Sequence, residues 1–230
     1  MNVLRYKFLF FLVFLPAFCF AQSYCELFPR ECASAKQFFA EHKQEFEQTG
    51  KRAGLSAEFL FAVVAPEFTQ FSHLQNRFET RALKILYVQG GASTANFSIG
   101  YFQMQPAFVE QLEKFAETDS ILKTKYADIL FANPDERRAR VERIERLNTL
   151  EWQLIYLSLF AEIVQKRFEN LVFANNEEKL RFFASAYNSG FHRTEQHLKE
   201  IEQRALFPRF SRQKFRYSDI AVWFYREITE

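Results

Sequence analysis

Apolar residues recur at helical spacing along most of this chain. Over residues 33–48, Ala35, Phe38, Phe39 and Phe46 share one helical face with charged residues between them, which predicts an amphipathic helix stopped by Gly50. Ser56 is placed to cap a second helix through Phe59, Leu60, Ala62, Val63 and Val64, a segment so apolar that it must be buried. Pro66 lacks an N–H and predicts a disrupted last turn, with Glu67 immediately after it. Residues 76–88 repeat the helical pattern up to Gly90-Gly91, and Pro106 suits the first position of a helix over 107–115. Residues 134–173 are helical in pattern, with a highly charged first third over 135–146, expected as a solvated face, and a break near Asn148. A helix over 177–187 stops at Asn188-Ser189-Gly190, and helices over 193–204 and 219–227 complete the chain. No strand longer than a few residues, no repeat of fixed period and no low-complexity linker interrupts the pattern. The expected fold class is all-α, in one domain.

Composition supports that picture and narrows it. Six Gly and six Pro in 230 residues favour long regular elements over a turn-rich β-sandwich. Thirty Phe are too many for a surface, so most must be core and some can line a groove. Arg5 and Lys7 precede an apolar run from Phe8 to Phe20 that ends in Cys19-Phe20-Ala21, which reads as a secretory signal cleaved after Ala21. The run of about thirteen residues is short of the roughly twenty that a span needs, so no stable membrane span is expected after cleavage. The chain then divides into a signal peptide over 1–21, an N-terminal helical segment over 22–54 and a main domain over 55–230. Loss of Arg5 and Lys7 brings the 30 Lys+Arg level with the 28 Asp+Glu, and a neutral chain offers no basic footprint for nucleic acid. Cys25 and Cys32 remain, and in an exported protein a disulfide between them is expected. Neither CxxC nor HxxxH occurs to make a metal site with them, and no cofactor is expected.

Three short stretches carry the chemistry. The first, FLFAVVAPEF over 59–68, places a single carboxylate, Glu67, against an apolar helix and among Phe61, Phe68 and Phe71. Poor hydration disfavours the charged form, which is what a general acid near neutral pH requires. The second, SIGYFQMQP over 98–106, alternates amides with large apolar side chains before a proline. The third, AYNSG over 186–190, closes a helix. An acid at a helix end is more often a solvated one when it stands alone; the other two stretches, in this order and spacing, reverse that balance.

Together the three resemble the motifs of the soluble lytic transglycosylases of the lysozyme-like superfamily, over about residues 55–192. The resemblance implies a single lysozyme-like helical domain acting on peptidoglycan glycan strands. In it one glutamate, here Glu67, protonates the glycosidic oxygen between N-acetylmuramic acid and N-acetylglucosamine. The resulting carboxylate takes the proton of the muramic C6 hydroxyl, which closes on C1 and leaves a 1,6-anhydro end, so the enzyme is a lyase. The resemblance also implies substrate-binding roles for Ser98, Gly100, Tyr101, Gln103, Tyr187 and Asn188, with Tyr187 orienting Glu67. Phe102 and Met104 are expected in the core, and His73, His192 and His197 on the solvated surface. The setting is an exported one, periplasmic or attached to the cell envelope.

Departures from the motifs keep two other readings open. Phe68 stands where the family has serine, which favours a non-catalytic glycan-binding envelope protein. Gln105 replaces a hydrophobic residue, and Tyr101-Phe102 replaces Leu-Met. Residues 76–88 lengthen the gap between the first two stretches and bring in Glu79, which could activate a water in a muramidase of the goose type; next to Arg77 and Arg81 it also reads as a solvated helix acid.

Overall fold

The computed structural model describes residues 23–71, 77–131, 135–209 and 211–230, with the side chains of 71 and 77–80 left out. Its centre is α4 (Ala57–Phe71), whose residues 60–65 are at most 1% exposed. Around it lie α2 (Pro29–Glu41), α3 (Lys43–Ala53), α9 (Leu150–Arg167), α10 (Asn176–Ser189) and α12 (Tyr217–Thr229). Rings of Phe39, Phe46, Phe61 and Phe224 meet edge-to-face or stacked across α2, α3, α4 and α12 at centroid distances of 4.8–6.1 Å. The remaining helices are α1 (Tyr24–Leu27), α5 (Arg77–Gly90), α6 (Pro106–Thr118), α7 (Ser120–Lys125), α8 (Glu136–Leu147) and α11 (Glu195–Glu202). A small antiparallel hairpin, β1 (Ala205–Phe207) and β2 (Phe215–Arg216), precedes α12, so the described residues are mostly α rather than all-α.

Several local expectations are corrected by packing. The helix expected over 33–48 is two helices that bend at His42, and it runs past Gly50. Gly50 is buried inside α3 because a Cβ there would lie 2.4 Å from the carbonyl oxygen of Leu55. The stop is Gly54, left-handed at φ +69°. Pro66 does not break α4, which continues to Phe71; Glu67 therefore sits inside a helix and not beyond its end. Packing on all sides holds α4 together where the proline removes one internal hydrogen bond. The break near Asn148 is present, with Thr149 capping α9 through Trp152 N–H, but α9 closes at Phe168 and not at 173. The short α7 was not expected; Asp119 caps it by accepting from the N–H groups of Ile121 and Leu122.

The charged stretch 135–146 is not simply a solvated face. Arg143 and Arg146 are each 7% exposed. Arg143 donates to both oxygens of Glu113, to Glu110 and to Tyr87, while Arg146 reaches the Ile129 carbonyl and Glu142 and lies over the rings of Phe131 and Trp152. Partners of this kind allow both charges to be buried, although the Arg146 Nε makes no hydrogen bond among the described residues. At the other end of the chain, a disulfide joins Cys25 and Cys32. Among the described residues no helix is long and apolar enough to cross a membrane.

Candidate functional site

A cleft of about 700 Å³ opens between α4, the segment 96–107, the end of α10 and the β1–β2 hairpin. Its back wall is the last turn of α4. The Tyr217 hydroxyl donates to the Val63 carbonyl at 3.0 Å, tying α12 to α4 one turn before Glu67. On the other side a relay runs from the Gln70 amide to the Tyr24 hydroxyl (2.8 Å), on to Thr69 (2.6 Å) and to the Pro66 carbonyl (2.6 Å). Tyr24 is held in that relay beside the Cys25–Cys32 loop, so the start of the described chain buttresses the helix that carries Glu67.

Glu67 faces the cleft from this frame. Among the described residues its carboxyl accepts no hydrogen bond. Burial pushes it up to about 7, and the Arg209 guanidinium, the other charge on the cleft wall, pulls the other way without prevailing. Burial holds the phenols of Tyr187 and Tyr217 well above their ordinary value, and the charge of Glu67 adds to both shifts, which places both rings close to the carboxyl.

The segment after Ser98 forms a tight turn. Ile99 and Met104 exchange N–H···O bonds at 3.0 and 3.1 Å, and the turn between them needs Gly100 at φ +72° and Gln103 at φ +51°. A Cβ at Gly100 would lie 1.5 Å from the Gln153 side-chain nitrogen. Gln153, fully buried on α9, accepts from the Phe102 N–H at 2.8 Å and donates to the Leu147 carbonyl at 2.6 Å, so it is the pedestal of the turn. Phe102 and Met104 enter the core, as expected. Gln103 donates to the Gly100 carbonyl at 2.7 Å, while its own side-chain oxygen has no partner among the described residues. A positive φ on a residue with a side chain, plus an orphaned buried acceptor, marks strain of the kind concentrated at binding sites.

Glu67, Ser98, Gln103, Tyr187 and Asn188 all line this one cleft. Gly100 and Tyr101 do not. Gly100 faces Gln153, and Tyr101 packs against Phe38 (5.2 Å) and parallel to Phe68 (6.3 Å). Phe68 itself lies 4.4 Å from Phe38, so the aromatic at that position braces the turn against α2 and stays off the cleft wall. Tyr187 does not hydrogen-bond Glu67; its hydroxyl donates to the Phe102 carbonyl at 2.7 Å and so joins α10 to the turn. His192, expected on the open surface, is exposed at the cleft rim, and desolvation with the charges of Arg193 and Arg167 holds it below its ordinary value. His73 and the side chain of Glu79 lie outside the described residues.

Sequence reasoning missed Tyr217, Tyr24, Gln153 and Arg209. Gln153 carried a signal, a lone amide within the apolar run LEWQLIYLSLF, and the basic stretch around Arg209 carried another. Six cleft residues bear amides: Gln70, Asn96, Gln103, Gln105, Gln111 and Asn188. Asn96 and Gln105 hydrogen-bond each other at 2.8 Å, and Asn96 also accepts from the Ala107 N–H at 3.0 Å. Such a wall can both donate to and accept from hydroxyl and acetamido groups, and Glu67 can give and retake a proton between them. No group of three His, Cys, Asp or Glu able to hold a metal ion occurs among the described residues. No protein-family model, no curated protein and no solved structure matches this chain.

Proposed function

We propose that this chain is a peptidoglycan lytic transglycosylase with a lysozyme-like helical architecture, working in the cell envelope after export. One observation carries the reading: among the described residues that line the cleft, Glu67 is the one carboxylic acid, it is poorly hydrated, and amides line the same cleft. Ordinary glycosidases divide the work between two carboxylates. A lone acid suits a reaction in which the same group serves twice. Protonated Glu67 gives its proton to the glycosidic oxygen of a MurNAc–GlcNAc bond, and the C1–O bond breaks. The carboxylate then takes the proton of the C6 hydroxyl as that oxygen bonds to C1. Glu67 is protonated again, no water is consumed, and the new end is a 1,6-anhydro ring. An acid with its midpoint near 7 can do both halves near neutral pH. The leader-like residues 1–21 and the Cys25–Cys32 disulfide support an exported setting.

The test compares wild type with Glu67→Gln on purified peptidoglycan, with mass spectrometry of the released fragments. The reading expects anhydro ends from wild type and almost none from the variant. Reducing ends would make the enzyme a hydrolase, with Glu79 the first residue to substitute next. Tight binding with no release from either protein would make it a glycan-binding envelope protein.

A further inference from the structure

The cleft has two unlike walls. Toward the turn and the end of α10 it presents amides. Toward the hairpin it presents Ile201, Leu206 and Phe207, followed by Arg209. Leu206 is 56% exposed, whereas Phe207, its neighbour on β1, is 7% exposed and fixed in the core by contacts to Tyr24 and Tyr217. An exposed leucine beside a cation at the mouth of a cleft does nothing for the core.

Among the described residues Arg209 is the one arginine or lysine lining the cleft, and its guanidinium makes no hydrogen bond or ion pair with them. Its backbone is not loose: Lys214 donates to the carbonyls of Pro208 (2.6 Å) and Arg209 (2.9 Å), and Arg216 donates to the Gln203 carbonyl at 3.1 Å. An exposed guanidinium on a backbone held in this way, with none of its five N–H donors taken by a described residue, fits a planar anion. Glu67, the one acid on the cleft wall, is not hydrogen-bonded to it and does not neutralise the site while it holds its proton. His192 adds no second cation near neutrality, because its neighbours keep it deprotonated.

We propose that Arg209, with Leu206 beside it, forms a subsite for a carboxylate carried on a short alkyl arm of the sugar bound next to Glu67, so that the enzyme selects acidic glycans over neutral ones. This rests on the glycan-cleaving function proposed above and deepens it by naming what the substrate must carry. Two sources share the chemistry: the carboxylates of a peptide attached to the muramic acid, and the free lactyl carboxylate of a muramic acid without peptide. The alkyl arm packs on Leu206, and the carboxylate takes two parallel N–H bonds from Arg209.

The test measures binding to catalytically blocked protein, Glu67→Gln, with and without Arg209→Ala, and with Arg209→Lys as the conservative control. The probes are peptide-bearing glycan strands, the same strands stripped of peptide, and neutral N-acetylglucosamine oligomers of equal length. With Arg209 intact, the carboxylate-bearing strands are expected to bind more tightly than the neutral oligomers, and this preference should weaken as salt rises. Arg209→Ala should cut the preference roughly tenfold to a hundredfold, and Arg209→Lys should restore part of it. Loss on the peptide-bearing strands alone identifies the peptide carboxylates as the source; loss on the stripped strands alone identifies the free lactyl carboxylate; equal loss on both shows that either carboxylate can fill the subsite. Equal binding of neutral and acidic glycans before and after substitution overturns the subsite alone. Absence of binding to any of the three overturns the glycan reading and the subsite with it.

Discussion

Two glutamates, half-buried Glu67 and buried Glu113, show how alike the raw material of structure and of chemistry can be. Burial pushes both carboxyls upward. Their surroundings then diverge. Glu113, on α6, accepts from Arg143 at 2.5 and 3.0 Å and from the Tyr156 hydroxyl at 2.7 Å, and these partners pull back against the burial. Glu67 accepts nothing from the described protein and opens onto a cleft. A satisfied buried acid holds helices together; an unsatisfied one holds its proton up to a higher pH, where it can give it up and take it back. Burial alone therefore does not mark a catalytic acid. Burial without partners, at a surface a substrate can reach, does.

Exchanging the two residues' fates tests that contrast most severely. Glu67→Gln should lower glycan release about 10²- to 10⁴-fold with the fold intact, as circular dichroism and the release assay together would show. Glu113→Gln, assayed where it is folded, should leave the rate within a few-fold; a comparable collapse there would dissolve the distinction. The next effect is on stability. Glu113→Ala strands Arg143 and should cost about 3–5 kcal/mol in urea unfolding, while Glu113→Leu with Arg143→Met should recover much of it. A third effect depends on pH. Folded Glu67 binds its proton up to about 7, and the unfolded chain releases it near the ordinary 4.5, so the folded state carries the extra proton between those values. Stability then falls as pH rises from about 4.5 to about 7. Glu67→Gln, which does not titrate, should match wild type at pH 4 and exceed it by about 3 kcal/mol at pH 8. Equal stability at both would mean that the carboxyl is well hydrated after all. The smallest effect is at Tyr187. Tyr187→Phe strands the Phe102 carbonyl and should cost about 1–2 kcal/mol, with far less loss of rate than Glu67→Gln.

Much of the helical plan was legible because it rests on local signals. Pro106 opens α6, Gly90-Gly91 closes α5, and Asn148 separates α8 from α9, each through backbone chemistry confined to a few residues. Pro66 and Gly50 were misread for one shared reason. Their local rule is real, but packing from distant segments overrides it at Pro66 and gives Gly50 a different task, the close approach of Leu55. In the candidate site, Glu67, Gln103 and Tyr187 were legible as motif residues. Gly100 and Tyr101 belonged to the same motif yet support the turn from behind, toward Gln153 and Phe68. Tyr217 lay beyond reach, since its meaning comes from a helix about 150 residues earlier in the chain, and Arg209 showed only as part of a basic stretch with nothing to tie it to Glu67. Arg143 and Arg146 looked solvated because nothing nearby in sequence announces Glu113 or Trp152 as their partners.

The bond from Tyr217 to the Val63 carbonyl ties the last helix of the chain to the one that carries the acid. A chain still lacking α12 would leave that flank of α4 open to water, and Glu67 would then titrate like any hydrated glutamate. Synthesis runs from the N-terminus and α12 is made after α4, so under the proposed function the acid gains its raised pKa only once α12 has docked.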